Sequence, residues 1–570
     1  MNYKEMYQKW LEDEAYSEYH NELKLLKDEK DIEDRFYKNI SFGTAGLRGK
    51  VGAGTNRMNI FNVSKATQGL ANFIISKGES VINRGVVIAM DSRNDSKCFS
   101  ETAAKVLAAN GIKTYLFDDV RPTPVLSYAV RYLKTTAGIV VTASHNPPEY
   151  NGYKLYWDDG AQVNEEIADG VSNLIEKIKG PNEIKCMDFK EGVEQNLIVQ
   201  TPKELDETYI EAVLDTKVQS NIDNSVSIVY TPLHGVGLRF VKEVLDRRGF
   251  KSLHIVEEQS KPDGNFPTVS YPNPEDPKSF KLAKELGEKT DAELLMATDP
   301  DSDRLGVLVR DNNGEYIRLN GNQTGSLLVY YILEGKKDML PNNPVLIKTI
   351  VTSDQGADIA KQYGLEVIDT LTGFKNIAYE LRIREGKVGY VFGYEESFGY
   401  MPSDVVRDKD GIMTCMLFAE MAGYYKKQNK TILDVLDEIY KKFGYYSEHL
   451  EAIVLEGIEG QRKIAKVMES FRDKCVEKIE DNDIAGVYDY LEAKYLNCNT
   501  NKYEDLDILK SNVLKYRYNE NFWFAMRPSG TEPKLKIYFS AKSDNKEVSE
   551  RNLENMKNVV LKRVFDELGI

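Results

Sequence analysis

Three stretches of this chain repeat one rhythm: an apolar β-branched run, a turn of small residues, an amphipathic helix and a second apolar run. That is a strand–helix–strand unit, and it leaves few folds open. In the first stretch GVVIAMDSR leads through a helix around Ser100 to Asn110 into IKTYLF. In the second VSIVYTPLHGVG leads through LRFVKEVLDRRG into SLHIVEE, and in the third PVLIKTIVTSDQG leads through ADIAKQYG into LEVIDTL. Each helix stops near a glycine (Gly111, Gly249, Gly364), the residue that most easily takes left-handed backbone after a last helical turn. The recurrence lies far above the roughly 20–50-residue period of solenoids, so it predicts three similar α/β domains rather than a repeat array.

After Tyr440 the pattern changes to a charged helical stretch from Gly460 to Asp481, the run NFWFAMRPSGTEPKLKIYFSA and a closing helix from Val548 to Leu568. Segregated strands and helices predict a fourth domain of α+β type. The domains expected are 1–205, 206–318, 319–440 and 441–570, which suits a chain of 570 residues, since a single core stops growing at about 250–300.

Basic residues number 75 and acidic residues 90, a net charge of −15 that argues against general nucleic-acid or anionic-membrane binding. No apolar run approaches the ~18 residues of a membrane span, and the charged first twenty residues suit neither a signal nor a transit peptide. A cytoplasmic location is expected. The five cysteines are scattered without a C-x-x-C pair, so they point to neither a zinc knuckle nor a disulfide framework.

GIVVTASHNPPEYNGYK runs an apolar strand into a turn that presents Ser144, beside His145 and Asn146. A nucleophilic serine needs a proton acceptor, and adjacent side chains diverge on extended backbone, so His145 is not expected to serve as that acceptor. No G-x-S-x-G elbow occurs. In LLMATDPDSDRLGVLV a second strand ends in Asp299, Asp301 and Asp303 at alternate positions, three carboxylates on one side of an extended loop. A hard cation relieves their repulsion, and oxygen-only ligation points to magnesium or calcium. The loop is no EF-hand, because its sixth and twelfth positions are Arg304 and Arg310.

GKVGYVFGYEESFGYMPS carries a third strand into Glu395 and Ser397, groups suited to sugar hydroxyls. TLTGFKNI offers Lys375, and VVRDKDG offers Arg407 and Lys409. FAMRPSGTEPKLKIYF places Arg527, Ser529, Gly530 and Thr531 in a tight turn: a guanidinium, two hydroxyls and backbone amides that can cradle a phosphate. Solvated turns and surface charge are the bland alternatives for each of these runs. FGTAGLRGKVG lacks the first glycine and the hydroxyl residue of a P-loop, and HGVGLRF has Phe240 where a dinucleotide-binding turn needs its third glycine.

Six motifs in order, GTAGLRG, TASHNP, DPDSDR, TGFKNI, GYEESFG and RPSGTEPK, make the chain resemble the α-D-phosphohexomutase superfamily along nearly its whole length. The resemblance implies three similar α/β domains with mixed sheets plus a C-terminal α+β domain around a central cleft. It implies that Ser144 is a phosphoserine and that Asp299, Asp301 and Asp303, with an oxygen on Ser144, hold Mg2+. His145, Lys154 and Arg304 would assist the transfer. Glu395, Ser397 and Lys375 would contact the sugar, while Arg527, Ser529, Gly530 and Thr531 grip the phosphate that is not reacting and Arg48 and Arg407 add positive charge. The expected reaction interconverts glucose 1-phosphate and glucose 6-phosphate through a bound glucose 1,6-bisphosphate, which also primes the enzyme. Phosphomannomutase or phosphopentomutase activity, a magnesium phosphatase and a non-catalytic phosphosugar-binding protein are the alternatives. The expected partners are small phosphosugars, with no nucleic acid and no membrane, and the chain acts as a monomer or small homo-oligomer. Many relatives carry G-E-x-S-G-H in the sugar loop; here Phe398 intervenes and Tyr400 stands in place of the histidine.

Overall fold

A computed structural model describes residues 2–43, 46–455, 457–479, 482–519, 521–529 and 534–570. Gly530 and Thr531 of the expected phosphate cradle lie outside the described residues. The chain forms two compact units: unit 1 comprises residues 1–324, 335–345 and 374–432, and unit 2 comprises residues 325–334, 346–373 and 433–570.

Unit 1 holds two mixed sheets of one design. In the first, the parallel strands Ala137–Val141, Val86–Met90, Thr114–Leu116 and Ile198–Gln200 are extended on one side by antiparallel Tyr150–Trp157 and Gly46–Lys50. Ala137, Ile139 and Val141 face a core shared with the helices Ile60–Ser76, Ser96–Ala109 and Glu165–Lys177. Gly138 faces the opposite way, where a side chain would strike Val130 and Leu126 of the helix Thr123–Leu133. Cover on both faces explains why the inner strands are apolar throughout rather than alternating. The second sheet repeats the plan, with parallel Leu294–Thr298, Ile228–Thr231 and Leu253–Ile255 extended by antiparallel Leu305–Arg310 and Tyr316–Leu319.

In both sheets the innermost parallel strand turns back on itself through a polar loop, Ala137–Val141 into Tyr150–Trp157 and Leu294–Thr298 into Leu305–Arg310. A third hairpin in unit 1, Gly389–Glu395 into Gly399–Met401, is antiparallel in the same way. These three loops carry Ser144, the three aspartates and Ser397 in turn. The expected strand–helix–strand segments form, with helices Ser96–Ala109, Leu238–Arg247 and Asp354–Gln362. Each runs into a glycine with positive φ: Gly111 at 74°, Gly249 at 88° and Gly364 at 80°.

Unit 2 centres on a seven-stranded sheet ordered Tyr445–Val454, Lys534–Ser543, Phe522–Pro528, Leu514–Asn519, Gly486–Asp489, Lys494–Asn497 and Lys502–Asp505, antiparallel at every pairing. Its strands alternate: Phe524 and Met526 pack on helices Gly457–Asp473 and Lys546–Leu568, while Trp523 and Ala525 pack with Ile350, Val351 and Leu371. The first of these helices ends at Asp473, short of the expected Asp481. Sheet hydroxyls end it: Tyr516 donates to the Phe471 carbonyl at 2.9 Å and Tyr518 to that of Val476 at 2.7 Å, replacing the next helical turn. Among the described residues no helix is long and apolar enough to cross a membrane.

Candidate active site

The serine turn departs from extended backbone. Ser144 has φ +52°, in the left-handed region, with its amide donating to Thr142 Oγ1 at 2.8 Å. This corrects the expectation for His145: the twist swings the adjacent side chains together and brings His145 Nδ1 to 3.1 Å from Ser144 Oγ. Burial, then the Arg304 and Arg48 guanidinium groups, push His145 well below its usual value, so the imidazole is neutral at physiological pH. The Ser144 hydroxyl donates to Asp299 Oδ2 at 2.7 Å.

Arg93 holds this turn from beneath. Its guanidinium donates to the carbonyls of Ser144 at 2.8 Å, Asn146 at 2.5 Å, Pro147 at 2.8 Å and Tyr150 at 2.7 Å, and Asp91 lies 3.3 Å from its Nε. Four carbonyls converging on one planar cation fix the strained turn. Arg93→Met is expected to lower kcat with little change in KM and to cost about 2–4 kcal/mol of stability. Steady-state kinetics with denaturant unfolding checks this, and wild-type kcat in a folded variant would remove Arg93 from the account.

The aspartate loop is braced from several sides. The Val236 amide donates to the Pro300 carbonyl at 2.9 Å, and the Gly411 amide to that of Ser302 at 3.1 Å. Thr123, the first residue of helix Thr123–Leu133, donates through its amide to the Asp301 carbonyl at 2.9 Å and through Oγ1 to Asp301 Oδ2 at 2.8 Å. The positive end of that helix therefore faces an anion. HGVGLRF, which is no dinucleotide turn, is this loop's backstop: a Cβ on Gly235 would stand 2.4 Å from Pro300 Cα. Gly235→Ala should cost about 2–4 kcal/mol by overpacking and should weaken metal binding as the loop shifts. Thermal melts and metal titration read the two effects separately.

Asp299, Asp301 and Asp303 are buried and present carboxylate oxygens within 4.8 Å of one another. Lys154 Nζ lies 2.7 Å from Asp301 Oδ2 and 3.2 Å from Asp303 Oδ2, and Lys409 Nζ also lies 3.2 Å from Asp303 Oδ2. Burial, then Asp301 and Asp303, push the Asp299 carboxyl well above the usual carboxylate range. Burial opposes the Asp303 charge as well, yet Lys409, Lys154 and Arg304 hold its carboxyl well below that range. The remaining oxygens, Asp301 Oδ1 and Asp303 Oδ1, are buried with no hydrogen-bond partner among the described residues. Bare carboxylate oxygens in an all-oxygen donor set fit a hard divalent cation.

Arg304, half-buried next to the aspartates, is paired with Glu275, and its amide donates to Asp299 Oδ1 at 3.0 Å. Glu395, buried at the end of its strand, lies close enough to Arg304 and Lys409 for its charge to act on both. Ser397 is half-buried in the following turn. Arg48 is exposed and reaches Asn146 Oδ1 at 3.5 Å. Lys375 is turned toward Glu165, 3.7 Å away, rather than toward the aspartates. Arg407 is turned toward Glu385, 3.2 Å away, and the Asp404 carbonyl, so its neighbour Lys409 is the cation of VVRDKDG that meets the aspartates. Tyr400 is buried and donates to the Gly321 carbonyl at 3.3 Å, so it packs in the fold and does not replace a sugar-loop histidine. In unit 2, Arg527 donates to Thr372 Oγ1, and the Ser529 amide donates to the Lys534 carbonyl at 2.7 Å.

Arg93, Thr123 and Glu275 were not foreseen from sequence. Only the charged strand end DSR, Asp91 to Arg93 at the carboxyl edge of a parallel sheet, carries a signal that could have found one of them.

The chain matches "Phosphoglucomutase/phosphomannomutase, alpha/beta/alpha domain I" over residues 39–181, domain II over 207–314, domain III over 320–443 and the C-terminal domain over 465–556. It is 38% identical over 509 residues to a phosphoglucomutase of Staphylococcus epidermidis, covering 89% of this chain and 92% of that one. It is also 38% identical over 520 residues to a phosphoglucomutase of Staphylococcus aureus, covering 91% and 93%. Among solved structures, the phosphoglucomutase parafusin of Paramecium in its open form shares the fold with TM-score 0.71 at 18% identity, over 94% of this chain and 96% of that one. A phosphoglucomutase/phosphomannomutase family protein of Burkholderia thailandensis does so with TM-score 0.66 at 20% identity, over 93% and 97%. With all four family domains matched in order along the chain and 38% identity to a phosphoglucomutase over 89% of it, this chain belongs to the phosphoglucomutase/phosphomannomutase family of phosphosugar mutases.

Proposed function

We propose that this chain interconverts glucose 1-phosphate and glucose 6-phosphate in the cytoplasm, using phosphorylated Ser144, Mg2+ and a bound glucose 1,6-bisphosphate that also primes the enzyme. The observation that carries the reading is the 2.7 Å contact between Ser144 Oγ and Asp299, which sets a hydroxyl against a three-carboxylate metal site. The curated relatives named above as phosphoglucomutases support glucose as the sugar.

Magnesium held by Asp299, Asp301, Asp303 and an oxygen on Ser144 would neutralise charge on the transferring phosphoryl group. The rest falls to the chain. Phospho-Ser144 gives its phosphoryl group to a sugar hydroxyl: the bond from phosphorus to Oγ breaks as one to the sugar oxygen forms, and the hydroxyl's proton passes by way of the neutral His145 imidazole to the freed Ser144 Oγ, 3.1 Å from Nδ1. Arg304 and Lys409 supply fixed positive charge beside the transfer, and alignment and charge are most of what this chemistry asks. When Ser144 takes the second phosphoryl group back, its proton leaves toward His145 Nδ1, a neutral imidazole 3.1 Å away. Lys154 steadies Asp301 and Asp303 throughout. Glu395, Ser397 and Lys375 orient the sugar, Arg48 and Arg407 add charge, and Arg527, Ser529, Gly530 and Thr531 hold the phosphate that is not reacting.

A panel of glucose, mannose, ribose and N-acetylglucosamine 1-phosphates, assayed with magnesium and a bisphosphate primer, tests the reading. The highest kcat/KM should fall on glucose 1-phosphate; a mannose or pentose phosphate at the top would overturn the choice of sugar. Arg527→Ala should raise KM by roughly 10–100-fold, the value of a charge-assisted phosphate contact.

A further inference from the structure

Unit 2 contains a cavity of about 380 Å³ whose residues have no part in the site above. It opens between the strand Pro344–Thr349, the helix Asp354–Gln362 and the sheet strand Leu514–Asn519. Five cations and three carboxylates line it, in a chain that is acidic overall. The carboxylates are already engaged. Asp354 receives Lys348 at 3.2 Å, Arg517 at 2.7 Å and the Trp523 indole at 3.1 Å. Asp358 receives Lys542 at 2.6 Å and the Tyr446 hydroxyl at 2.5 Å, and Asp369 receives Lys348 at 2.9 Å.

Two cations are left over, Lys361, which is exposed, and Lys515. Lys515 is 4% exposed, its amine donates to the Ile350 carbonyl at 2.6 Å and lies 4.0 Å over the Trp523 ring, and no carboxylate is within ion-pair distance among the described residues. Burial, opposed by Asp354 and reinforced by Lys348 and Arg517, pushes this amine down to about 7, with Asp369 the other charge bearing on it. A buried cation without a counter-charge is costly, and an anion between Lys515, Lys348 and Arg517 would relieve the cost. The volume falls in the range of about 300–1,000 Å³ typical of small-molecule sites, and Tyr488 and Tyr490 give it an aromatic wall.

We propose that this cavity binds a small phosphoryl anion, free or esterified, through Lys515, Lys348 and Arg517. The anion recruits a proton to Lys515, so above pH about 7 binding takes up protons. Isothermal titration of the metal-free full chain with pyrophosphate tests this, in two buffers of different ionisation enthalpy. Wild type should show a binding event with proton uptake that survives Arg527→Ala. Lys515→Met should weaken that event at least about tenfold, the value of one charge-assisted contact, and abolish its proton uptake. Arg517→Gln, at a half-buried position, carries the same expectation for affinity should Lys515→Met fail to fold. Orthophosphate and glycerol phosphate titrated alike separate an inorganic from an esterified ligand, and Lys515-dependent binding of either supports the site. Titrations of Lys515→Met and Arg517→Gln that superimpose on wild type, or pyrophosphate binding lost entirely with Arg527→Ala, would overturn it.

Discussion

Ser144→Ala lowers kcat by roughly 10⁴-fold or more, the loss expected when a covalent carrier is removed rather than an auxiliary group. The substitution removes one oxygen at a point where little else can take its place. The Thr142 hydroxyl is already engaged, by the Ser144 amide and by Asp91. Because the left-handed turn is held by Arg93 through backbone carbonyls, the alanine chain keeps its fold, although a non-glycine residue remains at φ +52°. Intact mass measurement supplies the second readout: wild type incubated with a sugar bisphosphate gains one phosphoryl group and the alanine variant does not. Turnover retained by Ser144→Ala would sink the phosphoserine mechanism outright. Steady release of free phosphate by wild type from glucose 1-phosphate, without glucose 6-phosphate, would instead identify a phosphatase.

Asp301→Asn is the second large effect, with kcat reduced by roughly 10²–10³-fold at fixed magnesium. Asparagine has the same shape but half the acceptor capacity. At present Oδ2 takes both Lys154 and Thr123 while Oδ1 is left bare. An amide can satisfy those donors only with its oxygen, which turns its NH2 toward the metal position, where a donor repels a cation. Weaker metal binding should therefore appear as a raised magnesium requirement in activity titrations, and excess magnesium should restore part of the rate. Equal magnesium curves for variant and wild type would remove Asp301 from the ligand set.

Much of this was legible in sequence because strands ending in polar loops announce themselves locally. Ser144 and the three aspartates each follow an apolar run, and the structure brings Ser144 and Asp299 into contact across 155 positions of chain. What sequence hides is how distant loops orient one another. Arg407 and Lys409 were indistinguishable in VVRDKDG, yet a two-residue step decides which meets Asp303 and which meets Glu385. His145 was misjudged because a positive φ at a serine cannot be read from its neighbours. Arg93, Thr123 and the HGVG loop act by holding backbone in place, a role with no compositional signature. The helix that stops at Asp473 is a similar case, ended by tyrosines more than forty positions later.

The three matching hairpins bear on ancestry and on redesign. Two sheets of the same strand plan place the Ser144 loop and the aspartate loop at the same corner, and a third hairpin adds the loop that carries Ser397. Such an arrangement is what duplication of one small gene would leave behind, each copy free to specialise in a handful of loop positions while its buried strands stayed constrained by packing. Rewriting the third hairpin would not leave the other two loops untouched, because Gly399 bridges to Arg304 and the Glu395 charge bears on Arg304 and Lys409.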